Sequence, residues 1–272
     1  MNEKDTLAEL KEQRKPEIDL LRRAAEEILA KNVLQPTEEV AGFLAMVGHN
    51  YSSELMVVGR ATNGWHGGCH LSASNLEEFV DTALRHAVFY FGKEQSCPMR
   101  WVSDSWGRAR ARNLYEKMKL PNPNGAYSTT RSAFWRTIKG VTEALDIAKD
   151  DSWPSHLVWS NLYKIAPADH GNPLSRLRGA QVQACASLLK MELETYKPKR
   201  VIFLTGLNWA NELWDKISGA NEFTPQGGLM VDATGTFNLP TQRIRIVVAK
   251  HPDRKKKDEW VRSVLDAFKA AT

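Results

Sequence analysis

Residues 54–59, Glu-Leu-Met-Val-Val-Gly, decide the fold. Four apolar residues in a row, with a charge before and a glycine after, suit a strand that is buried on both faces and runs into a turn. The pattern returns three times, as His156-Leu-Val-Trp-Ser-Asn161, Arg200-Val-Ile-Phe-Leu-Thr-Gly206 and Arg243-Ile-Arg-Ile-Val-Val-Ala249. Between the second and third runs, Leu177, Ala180, Ala184, Leu188 and Met191 recur at helical spacing until Lys197-Pro198 stops them. Buried strands separated by helices predict an α/β protein, a three-layer sandwich with a central, mainly parallel, four-stranded sheet. In such sheets ligands gather beyond the carboxyl ends of the strands. Those ends are residues 59–65, 161–167, 206–209 and 250–254.

The remaining chain reads as helical additions to a single domain, residues 1–272. Residues 1–50 form an N-terminal helical extension: Thr6 and Glu9 fit a capping box, Pro16 suits the first turn of a second helix, and Leu21, Ala25 and Ile28 continue an apolar face. Residues 70–155 are far more than one crossover helix needs. Their spacing predicts a helical insertion, with helices near 74–92, 103–118 and 128–148 and a break at Pro121–Gly125.

Composition removes whole classes of function. With 42% hydrophobic and 25% charged residues, the chain is not a disordered one. No run approaches the roughly 20 apolar residues of a membrane span, and the first residues carry both signs of charge, so a cytoplasmic location is expected. The cysteines Cys69, Cys97 and Cys185 lie far apart, which leaves no disulfide framework and no four-cysteine cluster. A net charge of +5 permits a polyanionic partner. Clusters at Arg100–Arg112, Arg176–Arg178 and Lys250–Lys257 point toward nucleic acid, although a solvated face gives the same pattern.

Three strand-end segments carry polar groups. Gly59-Arg-Ala-Thr-Asn-Gly64 has the glycine spacing of a phosphate-binding loop, but Trp65-His66 stand where that loop needs Lys and Ser/Thr. What remains is a polar loop with Thr62 and Asn63 where the sheet opens; a plain turn at Asn63-Gly64 is the simpler alternative. Asn161, at the end of an apolar strand, both donates and accepts, as reading a base edge requires; a satisfied structural amide is equally compatible. His251, held extended before Pro252, follows the last strand.

Taken together, GRATNGW after the first strand, WSNLYKIAP after the second, the GNPLSRLRGAQVQACASLLKMELETYKPKRVIFLTG stretch and VVAKHP after the last resemble the uracil-DNA glycosylase superfamily. The resemblance covers residues 54–65 and 156–268. It implies a water-positioning loop at Arg60–Asn63, a base-reading amide at Asn161 and a leaving-group donor at His251. Asn63 and His251 are then the catalytic pair, and Arg60, Thr62, Trp65 and Asn161 bind the base, with Trp65 stacking on it. Lys250, Arg254, Lys255 and Lys256 are placed to hold the DNA backbone. The loop departs from the family in having no carboxylate and no proline. Cys185 stands where the iron–sulfur branches place a ligand, yet the chain lacks their four cysteines, so no cluster is expected and Cys185 is assigned to helix packing.

The residue set suits hydrolysis of a bond between deoxyribose and base. Positive charge develops on the sugar and negative charge on the departing base, so donors aimed at the base lower the barrier and no metal or redox cofactor is required. A base within a duplex must first be flipped out, with cationic side chains gripping the phosphates. Gly67-Gly68 removes side-chain bulk near the loop, favouring a bulky modified pyrimidine. Together with the family's anti-phage members, this suggests glucosylated 5-hydroxymethylcytosine in phage DNA as the target, an abasic site as the product and defence as the role. Repair of uracil or mismatched thymine is the alternative enzyme reading, and a non-catalytic DNA-binding relative is the alternative of another class.

Overall fold

The computed structural model describes residues 3–64, 68–88, 97–104, 129–169, 171–217 and 222–271. The four strands expected from the sequence are present: β3 (Leu55–Gly59), β4 (Leu157–Asn161), β6 (Arg200–Phe203) and β9 (Arg243–Ala249). They lie in the order β4-β3-β6-β9, all parallel. The sheet is larger and more mixed than four parallel strands. β2 (Met46–Val47) adds antiparallel to β4, while β8 (Val231–Asn238) adds antiparallel to β9 and is followed by β7 (Thr224–Pro225), giving seven strands. β8 escapes a periodicity reading because Asp232, Thr234, Gly235 and Thr236 interrupt its apolar positions, which its partner β9 selects only on folding.

Alternate residues of the central strands feed two cores. Leu55, Val57, Trp159, Ile202 and Val247 point to one face, covered by α5 (Ala133–Ala144) and α8 (Lys257–Ala270), with α4 (Arg100–Asp104) beside them. Met56, Val58, Val158, Val201 and Val248 point to the other, covered by α6 (Ser175–Tyr196) and α7 (Leu207–Trp214). Pleat alternation and burial on both sides explain the unbroken apolar runs.

A further layer lies outside α6. The α6 stripe Leu177, Ala180, Ala184 and Leu188 meets α2 (Lys15–Ala30) and α3 (Leu76–Val88), while Cys185, Ala186 and Leu189 of the same helix meet the sheet. Thus the stripe legible in the sequence faces the N-terminal helices, and α6 is sandwiched. Small residues on both sides, with Ala24 and Ala25 on α2, let the two backbones approach closely.

Several boundaries differ from expectation. α1 (Glu3–Gln13) begins before Thr6, earlier than a capping box at Thr6 and Glu9 implies. Pro16 does fall in the first turn of α2. Helix ends at Ala30, and residues 40–47 supply two strands, β1 (Val40–Gly42) and β2. β1 pairs with β5 (Ile165–Pro167) in a separate two-stranded sheet. In the insertion, α3, α4 and α5 match the starts of the expected helices only approximately; residues 105–128, with the Arg108–Arg112 cluster and the Pro121–Gly125 break, lie outside the described residues. Among the described residues no helix is long and apolar enough to cross a membrane.

Candidate active site

The chain leaving β3 turns toward β4: Gly59 O accepts from Leu162 N–H at 2.9 Å and Arg60 O from Tyr163 N–H at 3.0 Å. The chain leaving β6 turns the other way, with Gly206 N–H donating to Ala249 O at 3.0 Å. The strand ends therefore part between β3 and β6, the topological switch point at which open α/β sheets bind ligands. Asn161 flanks this parting from β4 and His251 from β9. Three strand spacings put their backbones about 14 Å apart across the mouth.

Asn161 is 1% exposed and its Nδ2 has no partner among the described residues. The side chain lies over Gly59, its register partner, where a Cβ would overlap Oδ1. The alternation of β4 turns the apolar Trp159 to the core and delivers the amide at the strand end. Thr62, 3% exposed, likewise carries an unpartnered hydroxyl. A buried polar group left unpaired costs about 1–3 kcal/mol, so two such groups at neighbouring strand ends mark this edge as one not built for stability alone.

Asn63 is exposed, and its Oδ1 accepts from Gly171 N–H at 2.6 Å. The amide oxygen thus ties the loop after β3 to the loop after β5, and its Nδ2 is the group left for a ligand. Arg60 donates from Nε to Thr205 O at 2.9 Å and lies 5.2 Å from the Trp209 ring centroid. Trp65 lies outside the described residues, as do His66 and Gly67. Gly68 is described, and the space its missing side chain leaves is filled by Ala168. It serves close packing of the loop and does not widen the mouth.

His251 sits at the exposed rim, and its Nδ1 accepts from Asp253 N–H at 3.3 Å. An accepting Nδ1 places the proton on Nε2 in the neutral ring. Partial burial, then the nearby Arg60 charge, push its pKa below the ordinary histidine value, with Asp253 opposing. The neutral imidazole with Nε2–H as donor is therefore favoured near neutral pH.

The basic cluster divides. Lys250 turns inward, its Nζ donating to Gly228 O at 3.2 Å and lying 3.6 Å from Asp232. Arg254, at a positive φ of 57°, is exposed; Lys256 is exposed and lies 2.9 Å from Glu259; Lys255 is half-buried. Arg254, 3.8 Å from Asp253, and Lys256 hold only exposed ion pairs with near neighbours, which bind weakly, whereas Lys250 is committed to the protein.

Some residues at the mouth were not assigned from the sequence. Asp232 of β8 accepts from Leu207 N–H at 3.1 Å, capping α7, and the failure to read β8 as a strand concealed it. Trp209, in the first turn of α7, carries Arg178 at 4.4 Å from its ring centroid as well as Arg60, and Arg178 pairs with Glu212 at 3.1 Å. Phe134 of α5 packs beside Gly59 at the foot of Asn161. It is half-buried and presents an aromatic edge next to the unpaired amide. Cys185 is fully buried in α6, donating to Gln181 Oε1 at 3.2 Å, and burial raises its pKa to about 12, as suits a packing residue. Among the described residues no group of three or more His, Cys, Asp and Glu side chains could hold a metal ion.

The chain matches no protein-family model, and no curated protein is significantly similar to it.

Proposed function

We propose that the protein is a DNA glycosylase of the uracil-DNA glycosylase kind, hydrolysing the N-glycosidic bond of a flipped-out pyrimidine and leaving an abasic site. The observation that carries this reading is a pair of buried polar groups without a partner among the described residues, Thr62 Oγ1 in the loop after β3 and Asn161 Nδ2 at the end of the adjacent β4. Thr62 follows Arg60 in the loop after β3, Asn161 ends the adjacent strand β4, and His251 follows β9 at the same end of the sheet. The groups offered there are predominantly donors, which suits a ring that acquires negative charge as it departs. Phe134 supplies an apolar surface beside Asn161, and Arg254 and Lys256 supply exposed cations for phosphate. In this scheme Asn161 reads the base edge, His251 donates to the departing base, and Asn63 orients water through its amide N–H.

Glucosylated 5-hydroxymethylcytosine in phage DNA is the first base to test. Uracil is the alternative: the Asn161 side chain carries a donor and an acceptor on one amide, compatible with the 4-keto edge of uracil and with the 4-amino edge of cytosine. Purified protein is incubated with duplexes containing uracil, 5-hydroxymethylcytosine or its glucosylated form, and alkali-labile sites are scored. Release from the glucosylated or the uracil duplex decides between the two bases, and binding without release from any of them overturns the enzyme reading. His251→Ala and Asn63→Ala are expected to retain fold and DNA affinity while losing about a hundredfold or more in turnover. Unchanged turnover in both variants overturns the assigned roles.

A further inference from the structure

Arg60 is held unlike the other cations of the mouth. Its Nε is fixed on Thr205 O at 2.9 Å and its guanidinium rests near Trp209. Thr205 adjoins Gly206, which bonds Ala249, two residues before His251. The guanidinium is thereby anchored across the parting of β3 and β6, on the side from which His251 enters. Arg178 has Glu212 as its carboxylate and Lys250 has Asp232. Arg60 has none among the described residues, although it is half-buried, and Asp232 is already engaged by Leu207 N–H and Lys250. Burial without a compensating charge pushes the Arg60 pKa below its ordinary value. A partly desolvated cation with no counter-ion is costly in the resting protein and well suited to negative charge that arrives during a reaction.

We propose that Arg60 is a catalytic residue of the reaction inferred above: its guanidinium, oriented by the Thr205 carbonyl and Trp209, takes up the negative charge of the departing base beside the Nε2–H of His251. The inference rests on the glycosylase reading. In that step the C1′–N bond breaks with its electron pair on the base, and the oxygen of a water molecule bonds to C1′. The water's proton passes to solvent, and the released base anion is protonated from solvent after it leaves. The exposed cations Arg254 and Lys256 meet phosphate at the rim, while Arg60 lies deeper and faces the ring.

The test uses the full chain and the variants Arg60→Gln and Arg60→Lys, with thermal unfolding to establish that each folds. The first measurement needs no substrate: the His251 imidazole is titrated by NMR, with Arg60, Asp253, Lys250 and Asp232 as the charges around it. Arg60→Gln is expected to raise the His251 midpoint and Arg60→Lys to leave it nearly unchanged; an unmoved midpoint in Arg60→Gln overturns the proposal. The second is single-turnover base release from the uracil and glucosylated 5-hydroxymethylcytosine duplexes. On the duplex that is cut, Arg60→Gln is expected to lose about a hundredfold in rate at saturation, with affinity within about threefold and Arg60→Lys recovering most of the rate. Weakened affinity and a shallower salt dependence at an unreduced rate would mark a phosphate contact and overturn the proposal. No release from either duplex by the unaltered protein sinks the glycosylase reading itself; release that is as fast in Arg60→Gln sinks only the role of Arg60.

Discussion

Two buried amides in this protein are used in opposite ways. Gln181 donates to Ile165 O at 2.7 Å and accepts from Ile165 N–H at 2.9 Å, clamping the segment after β4 to α6. Asn161, equally buried, leaves its Nδ2 unpaired. Gln181→Leu orphans two buried backbone groups and is expected to cost about 2–4 kcal/mol in urea unfolding. Asn161→Ala is expected to stay within about 1 kcal/mol of the unaltered protein, because it removes an orphan donor along with its packing. Equal losses in the two variants would show that Asn161 is structural. Gly59 belongs with Asn161: Gly59→Ala sets a Cβ against Oδ1 and is expected to cost about 1–3 kcal/mol and to displace the amide. For His251 the folded pKa is lowered, so its contribution to stability is present above the ordinary histidine value and lost as pH falls below it. The stability difference between the unaltered protein and His251→Gln should therefore shrink on acidification from about pH 7.5 to 5, and a difference that stays constant would contradict the burial of the ring.

At the scale of elements, β4 and the segment after it are joined to α6 by a serine, a lysine and a glutamate within the core. Lys164 and Glu192 are both 0% exposed, with Nζ at 2.6 Å from Oε1; Ser160 donates to Oε2 at 2.6 Å, and Lys164 donates to Ser160 at 2.6 Å. Ser160 precedes Asn161, so the network fixes the strand end that carries the candidate base reader. Burial outweighs the pull of Lys164 and pushes Glu192 above the ordinary carboxylate range. Lys164→Met leaves that carboxylate without its cation and is expected to cost about 3–5 kcal/mol. The variant should regain stability as pH falls, since its folded state then binds a proton that the unfolded chain does not. Replacing all three groups, as Lys164→Met with Glu192→Met and Ser160→Ala, is expected to recover most of the loss, and denaturation midpoints across pH report both effects. A lysine and a glutamate twenty-eight positions apart carry no periodic signal, so this pair was invisible before the tertiary structure joined them.

For the whole molecule, the N-terminal helices complete the core. α2 buries Leu21, Ala24, Ala25 and Ile28 against the outer stripe of α6, and Arg14, at the start of α2, donates to Ala45 O at 3.0 Å beside Glu17 and Tyr196. Removing residues 1–34 exposes the α6 stripe and orphans this polar cluster. The truncated chain is expected to bind a hydrophobic dye and to be cleaved rapidly by protease, and a truncation as protease-resistant as the full chain would make the layer an accessory.

The sequence by itself determined the parallel core, because a strand buried on both faces must be apolar at every position, and it located the strand ends where polar residues interrupt those runs. Asn161, Asn63 and His251 were legible as such interruptions. Only the tertiary structure decided what each polar group meets: that Asn63 spends its amide oxygen on Gly171, that Lys250 turns to Asp232, that Gly68 is filled by Ala168, and that Arg60 stands without a carboxylate among the described residues. It also decided the antiparallel β8 and the second face of α6. A hydrogen bond or a counter-ion depends on which distant backbone arrives within about 3 Å, and local composition fixes an element's burial without fixing its partner.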